Sequence, residues 1–228
     1  MNYLWEEFNI KTFPAETIVF RDGTLAPELS TIVDIDKIIK IDRQYNLPVH
    51  IIYIGEKAGK IDINCEILVP DQQVFLTVKI NTKSPAFLNI LIKNTGENSV
   101  FKGRILVQNY TLLEINEKAG HFAENTGIFL NNKVVAHSGS ETKLSGVAEI
   151  AKGCDSCESD INFAALAAPD AKIQFSPNQR IAAAPTSAVH SASIWRGNSD
   201  QIEYLRTAGF SGAEIKKVLE EAFTNDFI

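Results

Sequence analysis

The chain has 228 residues, 45% of them hydrophobic and 22% charged, which suffices for one domain with a sizeable core and argues against disorder. Its formal net charge of -6 argues against a nucleic-acid or anionic-membrane surface, because phosphate binding needs a concentrated basic face. The N-terminus is acidic where a secretory signal is basic, and no apolar stretch approaches the roughly 18 residues of a membrane helix. Three cysteines suit a reducing compartment. We therefore expect a cytoplasmic protein without nucleic-acid or membrane partners.

Residues 1–48 show no clear periodicity. Aromatic side chains such as Trp5 and Phe20 are sufficient to dock this segment on the main body, while Pro14 and Pro27 interrupt regular structure. We predict an N-terminal docking segment and no separate domain.

Residues 49–196 repeat one pattern, a short apolar or alternating run followed by a polar break. Such runs, rich in Val, Ile, Phe and Thr, are typical of β-strands, and helices are too long to fit between the breaks. The predicted strands are residues 49–54, 61–69, 74–80, 86–92, 100–107, 111–115, 127–130, 133–136, 146–150, 161–168, 172–175, 180–183 and 188–194.

Strands this short can form a β-sandwich, a jelly roll or a parallel β-helix. Asp22-Gly23 is the only dipeptide typical of tight hairpins, which weakens the antiparallel alternatives. Small residues within strands, such as Ala165 and Ala167, suit stacked coils that approach closely. The pattern favours a parallel β-helix without excluding the other two architectures.

Residues 197–228 change to a helical period. Ser199 can cap a first helix, and Gly209 lies where a left-handed C-terminal cap is needed. Residues 211–214 form a capping-box pattern that opens a second helix. The second helix has an apolar stripe formed by Ile215, Val218, Leu219, Ala222 and Phe223. The stripe can pack on the end of the β domain or form a groove for a partner, and both interpretations stay open.

Cys154 and Cys157 form a Cys-x-x-Cys motif, a spacing that can hold Zn²⁺ or a cluster iron, or cycle between dithiol and disulfide. A metal needs about four ligands and only Cys65 remains, so a second subunit would have to complete the site. The alternative is two small residues tolerated at a turn. No βαβ pattern surrounds the motif, which argues against a thioredoxin-like function.

Other enzymatic motifs are weak or missing from the sequence. His121 and His137 lie at breaks, where an imidazole can bond to backbone carbonyls or water. A Ser-His-Asp triad could combine Ser138 or Ser140 with His137 and Asp155 or Asp160, but the chain has no Gly-x-Ser-x-Gly elbow. It also has no phosphate-binding glycine loop, so we expect no nucleotide in this chain and assign no catalytic residue.

From residue 121 onward the chain resembles the SufB/SufD family. The matching segments are His121-Phe-Ala-Glu-Asn-Thr126, Ser145 to Gly153, Ala165 to Asp170, Pro177 to Ile181 and Tyr204 to Ser211. The resemblance implies a right-handed parallel β-helix over residues 49–196 with a C-terminal helix pair over residues 197–228. It also implies a non-catalytic scaffold for iron–sulfur cluster assembly that pairs as a homodimer or with a SufB- or SufD-like subunit.

The resemblance further implies a SufC-like ABC ATPase as partner. The residues expected to bind it are Tyr204, Leu205, Phe210, Ile215, Leu219 and Phe223. His190 falls where the family has a histidine near the subunit interface, and a neutral imidazole binds first-row metals. Cys154 and Cys157 are further candidate ligands for iron or a transient iron–sulfur cluster.

Two departures weaken this transfer. The chain is too short for the family's N-terminal helical domain, and Phe163 replaces the sulfur-accepting cysteine of SufB-type members. The second hypothesis is therefore a β-helical metal- or ligand-binding protein that has lost the assembly role. A third is a β-helix carbohydrate enzyme with a lateral groove.

Overall fold

The computed structural model describes residues 16–22, 24–27, 30, 40–41 and 49–225. Within these residues fourteen strands precede two helices, and no helix is long and apolar enough to cross a membrane. The strands are β1 (Glu16–Arg21), β2 (Thr24–Leu25), β3 (Lys40–Ile41), β4 (Val49–Gly55), β5 (Gly59–Ile67), β6 (Gln73–Thr82), β7 (Ala86–Asn94), β8 (Val100–Asn109), β9 (Leu112–His121), β10 (Gly127–Ala136), β11 (Glu141–Ile150), β12 (Glu158–Ala167), β13 (Lys172–Ile181) and β14 (Ser187–Trp195). The helices are α1 (Ser199–Thr207) and α2 (Gly212–Thr224).

The strands alternate between two sheets. Sheet A has the order β14-β12-β10-β8-β6-β4-β1-β2, and sheet B has the order β13-β11-β9-β7-β5-β3. All pairs are parallel except β1 with β2. One sheet A strand and the following sheet B strand make one coil, so β4–β5 to β12–β13 form five coils. The predicted parallel β-helix is confirmed, and the hand of its winding stays a prediction.

The coils stack in register, so equivalent residues form columns. Val78 of β6 pairs with Ile105 of β8, which lies 27 residues later, and Ile105 pairs with Asn132 of β10. Alternate residues point inward, because successive side chains of a strand lie on opposite faces. The inward-facing Val78 and Ile105 belong to one continuous apolar core that runs through the coils. This core accounts for the β-branched and aromatic runs in the sequence.

A column of left-handed turn residues links sheet B to sheet A. Asp71, Asn98, Asn125 and Ser156 have φ between 55° and 57° at equivalent positions of successive coils. Asn and Asp tolerate this conformation better than most residues. The backbone N–H of Asp71 donates to Glu97 O at 2.9 Å, so each turn also bonds to the turn of the next coil.

Two predicted breaks within strands are wrong. Residues 127–130 and 133–136 belong to the single strand β10, and residues 172–175 and 180–183 fall mostly in β13. In β10 the inward and outward alternation continues through Asn131 and Asn132, because Asn132 finds a partner inside the core. In β13 Pro177 is tolerated because β13 is an edge strand of sheet B.

The helices begin and end at specific caps. Asn198, not Ser199, is the N-cap of α1, and its side chain accepts from Asp200 N at 2.9 Å. Gly209 has φ 91° and ends α1, because Phe210 N bonds to Leu205 O and Gly209 N bonds to Arg206 O, as in a Schellman motif. The predicted capping box of Ser211 and Glu214 is confirmed.

Residues 1–48 are described only in part. β1 pairs in parallel with β4 and so extends sheet A, whereas Trp5, Phe8 and Phe13 lie outside the described residues. The boundaries of the docking segment therefore stay a prediction.

Candidate functional site

His190 lies on β14, the strand that follows the fifth coil, and faces the interior. It pairs in register with Ile161 of β12, which is in the core, and β14 is the end strand of sheet A. His190 Nε2 is buried and has no hydrogen-bond partner within the described residues. Burial lowers the pKa of His190, and the nearby Asp160 carboxylate partly opposes this shift. The imidazole is therefore neutral, and its unpaired Nε2 is buried at the end of the coil stack.

Cys154 and Cys157 lie at the turn between the fourth and fifth coils. Both thiols are buried and pack in a small cluster with Ile150. Burial raises the pKa of the Cys154 thiol, and the negative charge that Cys157 can carry raises it further. A buried thiol with a raised pKa is a poor nucleophile and a poor metal ligand until it is exposed.

The stacking of coils brings Cys157 to His121. Thr126, the residue equivalent to Cys157 on the preceding coil, lies between them: its Oγ1 is 2.8 Å from His121 Nδ1 and 3.2 Å from Cys157 Sγ. The Cys157 thiol also donates to Ala123 O at 3.3 Å. Burial lowers the pKa of His121 to about 4, so this imidazole is neutral. In this cluster Cys157 has a structural role at the turn between the fourth and fifth coils.

The cysteine pair and His190 do not form one ligand set. Ser187 N donates to Cys157 O at 2.9 Å, and His190 lies three residues further along β14, about 10 Å away at the rise of a strand. Within the described ranges, no group of three or more His, Cys, Asp or Glu residues could hold a metal ion. A cluster at His190 would need ligands from another subunit or from a different arrangement of this end.

The serine triad considered from the sequence does not assemble. Ser138 Oγ donates to Asp170 Oδ2 at 2.8 Å, and Ser140 Oγ donates to the backbone oxygen of His137 at 2.6 Å. Neither hydroxyl is bonded to an imidazole nitrogen. A shallow groove on the outer face of sheet B contains one carboxylate, that of Glu114, whereas glycoside hydrolysis uses a pair.

His137 instead fixes α2 to the β-helix. Lys216 Nζ of α2 lies 3.0 Å from His137 Nδ1, and a lysine ammonium can only donate, so Nδ1 accepts. His137 Nε2 then carries the hydrogen and donates to Gln108 Oε1 at 2.7 Å. The ring stacks on Tyr110 with a centroid distance of 3.8 Å. Burial and the Lys216 charge lower the pKa of His137 to about 4, so the imidazole stays neutral.

A second contact lies at the end of α2. Lys133 Nζ of β10 donates to Phe223 O at 2.7 Å and lies 5.1 Å from the centroid of the Phe223 ring. Ile215 is only 4% exposed, while Leu219 and Phe223 are half-buried. The apolar stripe of α2 thus packs at least partly within the chain, and a partner could reach Ile215 only if α2 moved.

The first helix is far more exposed. No residue of α1 is buried, and Tyr204 is 72% exposed, the highest value among the exposed large hydrophobic residues that the structure describes. Phe210, which follows α1, is 40% exposed and Leu205 is half-buried. Arg196 anchors the start of this segment, because its guanidinium donates to Ala168 O at 2.8 Å and to Ala171 O at 3.2 Å. Of the six predicted partner-binding residues, Tyr204 and Leu205 thus lie on the accessible helix and Phe210 lies just after it.

The polar groups that the coils bring together do not follow from the sequence motifs. The motif that contains His121 and Thr126 is separate from the Cys-x-x-Cys motif of Cys157, and Gln108 and Lys216 belong to neither. The signal lies in the 27-residue repeat: Asn94 and Ser99 on the second coil have the same spacing as His121 and Thr126 on the third.

The described residues define a class of protein, a parallel β-helix that ends in a helix pair attached to its fourth coil. The family model described as "SUF system FeS cluster assembly, SufBD core domain" matches residues 76–223, well over half of the chain. The chain belongs to the SufB/SufD family of iron–sulfur cluster assembly. A search of curated proteins finds no match. The family match begins at residue 76, whereas the resemblance of individual motifs begins only at residue 121.

Proposed function

We propose that this chain is a scaffold subunit for iron–sulfur cluster assembly and that a SufC-like ABC ATPase docks on its helix pair. The observation that carries the proposal is the exposure of α1, which has no buried residue and presents Tyr204 to solvent, together with the exposed Phe210 that follows it. Large exposed apolar side chains on a capped, ordered helix are typical of interaction surfaces. Family membership supports the iron–sulfur role, and the identity of the partner belongs to the proposal.

The attachment of α2 supports a mechanical role for the helix pair. Lys133 and His137 tie α2 to the fourth coil, while the capped turn at Gly209 and Ser211 joins α2 to α1. A nucleotide-driven movement of a partner on α1 would then be passed to the β-helix as a rigid-body displacement. This chain would contribute no nucleotide-binding residue.

We also propose pairing with a second subunit at the last coil, in a homodimer or with a SufB- or SufD-like chain. β13 and β14 are the end strands of their sheets, and within the described residues no strand pairs with their outer edges. Val189 of β14 is 53% exposed, and unpaired edges readily accept another strand. Iron or a transient cluster at His190 would then depend on ligands from the partner subunit.

Co-purification tests the ATPase partner. The chain is co-expressed with the SufC-like ATPase of its source, and the Tyr204→Ala, Phe210→Ala double variant is expected to lose the complex. Phe87→Ala is the matched control, because Phe87 is a similarly exposed aromatic residue on sheet B, away from the helices. No complex with the unmodified chain, or equal loss with the control, would contradict the proposal.

Anaerobic reconstitution with iron and sulfide separates scaffold function from simple ligand binding. A scaffold is expected to show a cluster absorption band when paired with its second subunit, and His190→Ala should reduce it. Phe87→Ala, an exposed residue on the second coil and away from β14, is again the control. A cluster that is unaffected by His190→Ala would exclude this histidine as a ligand. Iron binding without any sulfide-dependent band would favour a metal-binding protein that has lost the assembly role.

A further inference from the structure

Glu117 and Asn132 form a polar pair inside the β-helix. Glu117 points inward from β9 of the third coil and Asn132 from β10 of the fourth, and they are only 3% and 1% exposed. Asn132 Nδ2 donates to Glu117 Oε2 at 3.1 Å. The remaining oxygens, Glu117 Oε1 and Asn132 Oδ1, are buried and have no hydrogen-bond partner among the described residues. A carboxylate and an amide so arranged are one hydrogen short, because both unpaired atoms are acceptors.

In the part of the chain that the structure describes, the strand neighbours of the pair carry no charge that could stabilise a carboxylate. Along sheet B, Glu117 pairs with Ile90 and Gly146, and along sheet A, Asn132 pairs with Ile105 and Phe163. None of these four residues is titratable. Burial raises the pKa of Glu117 to about 8, and the hydrogen bond from Asn132 only partly opposes this rise. An ionised Glu117 would be a buried charge without a counter-ion.

We propose that Glu117 holds a proton at neutral pH and forms a cyclic acid–amide pair with Asn132 that joins the third and fourth coils and weakens when the proton leaves. In this pair Oε1–H donates to Asn132 Oδ1 while Nδ2–H donates to Oε2, so both oxygens that lacked a partner gain one. Loss of the proton to solvent leaves two acceptors facing each other. The site thus binds one proton and connects two coils within the core.

The acid–amide pair lies close in sequence to the residues that hold α2. β10 carries Asn132 and also Lys133, and His137 follows it directly, so the strand that receives the acid–amide pair also holds α2. In stacked-coil proteins stability is the sum of contacts between neighbouring coils, so one weakened contact affects everything beyond it. The inference does not depend on an ATPase partner, because it concerns this chain alone.

Carbon-13 NMR of the intact chain labelled at the glutamate carboxyl carbons tests the protonation state. Titration from pH 5 to 10 is expected to show one glutamate carboxyl with a midpoint near pH 8, and Glu117→Gln should remove that signal. Asn132→Leu keeps the glutamate but removes the amide. Because a pair that weakens on proton loss favours the protonated acid, this substitution should move the midpoint downward. A Glu117 carboxylate already present at pH 6, or a midpoint unchanged by Asn132→Leu, would overturn the proposal.

Equilibrium unfolding provides an independent test. Between pH 4.5 and 8 the folded state keeps a proton that the unfolded state has released, so raising the pH favours unfolding. The unfolding constant of the unmodified chain, divided by that of Glu117→Gln, should rise by up to about tenfold per pH unit over this range and level off above it. A ratio independent of pH would overturn the proposal.

Discussion

His137 accepts a hydrogen bond from Lys216 at 3.0 Å, and this bond joins the fourth coil to α2. Lys216→Met removes the donor while keeping most of the apolar stem. We expect the free energy of unfolding to fall by about 0.5–1.5 kcal/mol, the usual contribution of one hydrogen bond. Amide hydrogen exchange should also become faster in α2, while exchange in the β-helix core should not change.

Lys217→Met is the control for this substitution. Lys217 is on the same helix but is 76% exposed, and its 3.8 Å contact with Glu221 is a surface pair of little energetic value. His137→Phe places another aromatic ring against Tyr110 but has neither ring nitrogen. If Lys216→Met destabilises the chain equally in the presence of His137→Phe, the two residues are not coupled and the assigned bond is wrong.

Acid conditions should destabilise the fold through its buried histidines. Burial lowers the pKa values of His121 and His137 from 6.5 to about 4, so between these pH values the unfolded chain binds protons that the folded chain does not. The contribution of these two histidines to stability is therefore complete above pH 6.5 and is lost as the pH falls toward 4, whereas Glu117 contributes the opposite slope between pH 4.5 and 8. Each histidine should contribute a slope of about 1.4 kcal/mol per pH unit within this window.

His121→Asn measures one of these contributions. Asn94 occupies the equivalent position on the second coil, so asparagine is compatible with the local backbone. In urea unfolding between pH 7 and 5, the free energy of unfolding should depend on pH less steeply in the variant than in the unmodified chain. The difference in slope should be about 1.4 kcal/mol per pH unit. Identical slopes would mean that folding does not lower the pKa of His121.

The three thiols should be protected in the folded chain. Cys65, Cys154 and Cys157 are all buried, and burial raises the pKa of Cys65 to about 12. Because the thiolate is the reactive species, we expect a thiol reagent to react on the order of a hundredfold more slowly than in guanidinium chloride. Rapid reaction of two thiols at pH 7 would instead indicate that the turn at 154–157 opens, and it would restore the cysteines as accessible metal ligands.

The strands and helix caps could be predicted because they depend on local chemistry. Alternating apolar residues specified most strands, and Ser211 with Glu214 specified the start of α2. The polar contacts could not be predicted, because the residues involved are separated by 15 or more positions and meet only after the coils stack. Glu117 with Asn132 and Cys157 with Thr126 are both of this kind.

The helix pair shows a different limit. The apolar period of α2 predicted a stripe but not what covers it, since Ile215 and Phe223 have the same pattern whether they face this chain or a partner. Only the contacts of Lys133 and His137 show that α2 is held by the β-helix. The exposure of Tyr204 likewise depends on how α1 is placed, which no sequence period encodes.

Phe163 and Gly146 fill the core by size complementarity, so changing one should depend on the other. A Cβ added at Gly146 would lie 2.6 Å from Phe163 Cζ, which is too close, and Phe163 is fully buried. We expect Gly146→Ala to cost about 1–3 kcal/mol through overpacking and Phe163→Ala to cost about 3–5 kcal/mol through the cavity that it leaves. In the double variant the added methyl group enters that cavity, so its cost should be smaller than the sum of the two single costs. Urea unfolding of the four proteins measures this coupling, and strictly additive costs would show that the ring does not occupy the space over Gly146.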